Sequence, residues 1–118
     1  MKEFMLFVKT QGDHLAELSP EQQQAHVQKI SDYIGGLVEA GQLKGAQPLE
    51  MDGTTVQGYN GAFKDGPFVE TKEVIVGYFH ILAKDMESAI AIAKSNPVFD
   101  CGEATIEVRP IKRMDGIN

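Results

Sequence analysis

The chain has 118 residues, of which 42% are hydrophobic and 24% charged, enough for one compact core with nothing that reads as an inter-domain linker, so residues 1–118 are expected to form a single domain. Its formal net charge is −6, from 11 Lys and Arg against 17 Asp and Glu, and the cations are scattered, which argues against nucleic acid as a partner. The longest mostly apolar run, Val74 to Ala83, is too short to cross a bilayer, no cationic stretch leads into an apolar block near Met1, and the lone Cys101 fits a reducing compartment; the expected location is the cytoplasm.

In chain order, Glu3 to Lys9 reads as a strand with apolar residues on both faces: Phe4, Leu6 and Val8 on one, Met5 and Phe7 on the other. Ser19, Pro20 and Gln22 then supply an N-cap, a favoured first helical residue and the far half of a capping box, predicting a helix to about Ala40 that Gly41 ends. Gly35-Gly36 inside it predicts close packing or a local bend. After a loop through Gln47-Pro48, Thr54 to Tyr59 alternates as a strand. Asn60-Gly61 is the favoured centre of a type I′ turn, and Ala62 to Lys64 returns as the hairpin partner. Val74 to Ala83 is the longest predicted strand. Asp85 caps a second helix with Met86, Ala89, Ile90 and Ala93 on one face, Asn96-Pro97 stops it, and Ala104 to Lys112 forms the last strand.

This order predicts an α+β fold of ferredoxin-like type, a split βαβ sheet with two helices on one face. In the longest strand Ile75, Gly77, Phe79, Ile81 and Ala83 suit the helices, whereas Val74, Val76, Tyr78, His80 and Leu82 fall on the opposite, still largely apolar, face. An uncovered apolar sheet face of that size predicts a homodimer with facing sheets.

Several segments together resemble one family: LSPEQ at the first helix start, DGPFVETKE from Asp65 to Glu73, GYFHI in the longest strand and IEVRP from Ile106 to Pro110. The chain is similar to members of the DGPF or YCII-related family across nearly its whole length. The resemblance implies a dimeric α+β barrel and small enzymes or accessory domains that often carry a His and Asp proposed as a catalytic pair. His26 lies where that family tends to place its histidine; no motif singles out the Asp.

From the residues themselves, His26 shares a helical stripe with Ile30, Tyr33 and Leu37, so it faces inward, where an imidazole can exchange protons near neutral pH. The competing reading is a core-edge histidine bonded to a backbone carbonyl. Asp65 stands in a Gly-Pro turn that has structural grounds of its own, and its carboxylate is the candidate to orient His26 or accept a substrate hydroxyl. Glu70 and Lys72, with Glu73, are candidates for the rim of the same pocket, against the plainer reading of a solvated charge run. Tyr78 and His80 face the predicted dimer interior. If the last strand turns Glu107 and Arg109 the same way, these four residues become candidate substrate contacts, Arg109 suiting a carboxylate or phenolate; the plainer account pairs Glu107 with Arg109.

His14, His26 and His80 are far apart in sequence, and neither a metal-ligand spacing nor a phosphate-cradling glycine loop occurs, so no metal, nucleotide or other cofactor is expected. The activity these groups point to is cofactor-independent proton transfer, isomerisation or elimination, on a small cyclic or phenolic molecule. The alternatives are a ligand-binding or regulatory accessory domain and a pure interaction module.

Overall fold

In the computed structural model, residues 1–67 and 73–118 are described; Phe68, Glu70 and Lys72, and with them most of the DGPFVETKE segment, lie outside the described residues. The elements are β1 (Lys2–Thr10), α1 (Pro20–Glu39), β2 (Leu43–Pro48), β3 (Thr54–Tyr59), β4 (Ala62–Pro67), β5 (Val74–Ala83), α2 (Met86–Lys94), a single 3-10 turn at Pro97–Asp100, and β6 (Ala104–Pro110). Four strands form an antiparallel sheet in the order β2-β5-β1-β6, while β3 and β4 pair only with each other. This is an α+β architecture compatible with a ferredoxin-like fold.

The sequence pattern predicts the hairpin as part of that sheet and a loop through Gln47-Pro48. The structure corrects both points. The segment LKGAQP carries Gly45 and Pro48 and has no alternating pattern, yet β5 recruits it as an edge strand, where proline is tolerated. The hairpin is an insertion between the two strands. Its turn is the one expected, with Asn60 at φ 53° and Gly61 at φ 87°.

The capping box forms as read: Ser19 Oγ accepts from the Gln22 amide, and Gln22 Oε1 accepts from the Ser19 amide. Gly35 and Gly36 are exposed, and an added Cβ at either would touch nothing within 4 Å, so close packing does not account for them. On α2 the buried face is Ala89, Ile92 and Ala93. Met86 and Ile90, read as inward, stand at its exposed edge, because the helix phase turns Ile92 toward the sheet.

The core lies between the helices and one sheet face, built on Phe4, Leu6 and Val8 of β1 and Phe79, Ile81 and Ala83 of β5. A fully buried Phe4, Leu6 or Ile81 contributes roughly 1.5–3 kcal/mol by removal from water. Tyr33 ties the layers together: its hydroxyl donates to the Ile92 carbonyl at 2.7 Å, and its ring meets Phe79 edge-on at 5.5 Å. Burial raises its phenol pKa to about 12.

One irregularity changes the faces. Val8 pairs with Gly77 but Lys9 pairs with Ile75, which leaves Val76 as an unpaired bulge residue. Ile75, read as helix-facing, is therefore turned to the open face and is 45% exposed, whereas Val76 packs against the core. Beside the bulge, a Cβ on Gly77 would sit 2.9 Å from the Gln47 carbonyl oxygen, so glycine is what lets β2 close on β5 there.

Candidate functional site

A cleft of about 320 Å³ opens between α1 and the β2–β5 edge of the sheet. Its walls are almost wholly apolar, with Val8, Ile30, Ile34, Val76 and Phe79 among them, and two imidazoles, His14 and His26, face into it. The capping box fixes where α1 begins and so sets its phase, placing His26 on the inward stripe with only 7% exposure. His14 arrives on the loop after β1. That loop is pinned to α1 by the Gln23 side-chain amide, which donates to the carbonyls of Leu15 at 3.0 Å and Leu18 at 3.1 Å. The two rings meet edge to face with centroids 5.7 Å apart.

A third group comes from beyond α2. Asn96 caps the 3-10 turn by accepting from the Val98 amide at 2.9 Å, and the turn delivers Cys101, whose Sγ lies 3.1 Å from His26 Nδ1. Burial lowers the His26 pKa, Lys29 lowers it further, and Asp100 opposes them. Burial and the neighbouring His26 lower that of His14 against the pull of Asp13. Burial and Asp100 raise that of Cys101. At neutral pH the cleft thus holds two uncharged imidazoles, and the thiol against His26 is protonated. The Nδ1 of His14 is buried and has no hydrogen-bond partner among the described residues.

These shifts carry a pH signature. The unfolded chain takes up protons on both histidines below about pH 6.5 before the folded chain does, so stability falls as pH drops from 6.5 through the folded pKa values. Thermal melts between neutral pH and pH 5 are expected to show this loss, and the His26→Gln variant to show less of it. An equal slope in both proteins would remove His26 from the effect.

The open face of the sheet holds the other candidates. The pairing sets Tyr78, Phe7 and Glu107 in one row and His80, Met5 and Arg109 in the next, all on the side away from the helices. Because β1 intervenes, β5 and β6 stand about 10 Å apart. Glu107 accepts from Lys9 at 2.8 Å and lies 3.7 Å from Arg109; Lys9 holds the Glu107 carboxyl below the usual carboxylate range. His80 Nε2 meets Glu3 Oε1 at 2.8 Å. Glu3 also engages Lys44 at 3.4 Å and the Arg113 guanidinium. Its carboxylate is shared among three partners, and burial and Lys44 lower the His80 pKa, so His80 is a neutral donor to Glu3.

Asp65 is exposed on β4 and is not among the residues lining the cleft that holds His26. The group beside His26 Nδ1 is a thiol, where the sequence reading looked for a carboxylate. His14, Cys101 and Glu3 were missed as site members. The first two stand in loops without periodic signal, and only the histidine residue type and the uniqueness of the cysteine could have drawn attention to them.

Comparison with protein families matches the YCII-related domain over residues 2–115, nearly the whole chain. No curated protein matches it. Among the described residues, no helix is long and apolar enough to cross a membrane, and no three His, Cys, Asp or Glu side chains gather as a metal site.

Proposed function

Given that the chain belongs to the YCII-related family, we propose that it is a small, single-domain, cofactor-independent enzyme. It moves a proton on a small cyclic or phenolic molecule, by isomerisation or elimination, in the cleft between α1 and the sheet. The observation that carries this reading is a pair of uncharged imidazoles, His14 and His26, on a shared apolar cleft of ligand size, where proton exchange near neutral pH is the chemistry these groups perform. The apolar walls favour an uncharged ring. They also exclude water, which strengthens each hydrogen bond the imidazoles make.

The test is a screen of small phenols and lactones for turnover by the wild type and by His26→Ala. Loss of about a hundredfold or more in the variant is expected. Equal activity would take His26 out of the reaction.

A second reading, a ligand-binding or regulatory accessory domain in the cytoplasm, draws support from the thiol at His26 Nδ1, since among the described residues no carboxylate hydrogen-bonds that nitrogen. Saturable binding of the same probes without turnover would favour it. In either case the functional unit is a homodimer with open sheet faces packed together as a dimeric α+β barrel. Half-buried Met5, Phe7, Tyr78 and Leu82 on that face support this assembly. The face residues Tyr78, His80, Glu107 and Arg109 then belong to the interface or its rim.

A further inference from the structure

We propose that Cys101 is a positioning residue: its S–H donates to Nδ1 of His26 and holds the imidazole in the Nε2–H tautomer, so that His26 meets a ligand in the cleft as a donor and not as a base. The inference rests on the cleft being the site of the chemistry proposed above.

The contact of 3.1 Å between Cys101 Sγ and His26 Nδ1 needs one proton between the two atoms. Either Nδ1–H donates to sulfur, or S–H donates to the Nδ1 lone pair. A neutral thiol sulfur is a weak acceptor, while an imidazole sp² nitrogen is a good one, so the second arrangement is the stronger. The alternative of a thiolate and imidazolium pair is disfavoured by the surroundings. Around the pair stand His14 from the loop after β1, Lys29 from α1 and Asp100 from the 3-10 turn. Burial and Lys29 oppose a charge on His26, burial and Asp100 oppose one on Cys101, and the contrary pulls of Asp100 on His26 and of Lys29 on Cys101 come last, these two being held 3.7 Å from each other.

A carboxylate in this place would act in the opposite sense. It would accept from Nδ1–H and leave Nε2 bare as a base. With a thiol there, the imidazole left without that constraint is His14, whose Nδ1 is buried without a partner among the described residues.

The experiment is ¹⁵N–¹H correlation NMR of the histidine rings in the ligand-free protein, which reads the tautomer without any substrate. In the wild type Nε2 of His26 is expected to be protonated and Nδ1 bare. In Cys101→Ala the ratio of Nε2–H to Nδ1–H is expected to fall about fivefold, as loss of one weak hydrogen bond implies. In Cys101→Ser, which keeps a hydroxyl donor, it is expected to recover. Finding Nδ1–H in the wild type overturns the proposal by itself, even if Cys101→Ala does not fold. An unchanged ratio in a folded Cys101→Ala also overturns it. Neither result touches the turnover test on His26→Ala, and unchanged turnover in that variant would leave the tautomer assignment standing.

Discussion

Phe79→Asp is expected to yield no folded protein, while Tyr78→Phe melts close to the wild type. The two residues are neighbours on β5 and point to opposite faces. Phe79 is 6% exposed and packs edge-on against Tyr33 in the helix-facing core. Truncating a buried phenylalanine alone costs about 3–5 kcal/mol. The aspartate adds a carboxylate with no partner in that layer, and the sum approaches the roughly 5–15 kcal/mol that holds a domain of this kind together. Tyr78 is half-buried on the open face, and loss of its hydroxyl is expected to move stability by no more than about 0.5 kcal/mol. Circular dichroism and thermal melts of both variants decide the matter; similar melting would mean that the faces have been exchanged.

Phe7→Glu is expected to split the proposed dimer without unfolding the chain. Phe7 lies between Tyr78 and Glu107 in a row across the open face, well away from the helix-facing core. A two-fold interface uses the same patch twice, so one substitution brings two new carboxylates into it, beside the existing Glu107 of each copy. Truncation at the centre of an interface costs about 2 kcal/mol or more, and like charges add to that. At micromolar concentration the wild type is expected to sediment as a dimer and Phe7→Glu as a single chain with its secondary structure retained. A wild type that sediments as one chain would end the barrel reading, and a dimeric Phe7→Glu would place the interface elsewhere.

Much of the fold was legible where local chemistry and pattern agree. Ser19-Pro20 and Gln22 announced α1, Asp85 announced α2, Asn60-Gly61 fixed the hairpin turn, and the alternation in Phe4, Leu6 and Val8 marked the buried side of β1. What was not legible depends on partners distant in sequence. β2 has a poor strand sequence and exists because β5 offers it an edge. The bulge at Val76 comes from the pairing with β1, and the neighbouring Gly77 is its one sign in the residue types. In the site, His26 could be placed because helical spacing predicts its face. His14 reaches the cleft, and Cys101 reaches His26, through loops whose paths are set by the Gln23 and Asn96 side chains, which is tertiary information.

The bulge lets a single strand serve two masters. On the Glu73 side of it Ile75 belongs to the outer layer, and alternation is broken at the next step, where Val76 and Gly77 both line the cleft. Deleting Val76 would keep Ile75 opposite Lys9 and Val74 opposite Thr10, so the outer layer would stand while the cleft lost one wall residue. At this point of the strand the cleft wall and the outer layer can therefore be re-tuned separately, the first through the bulge residue and the second through Ile75.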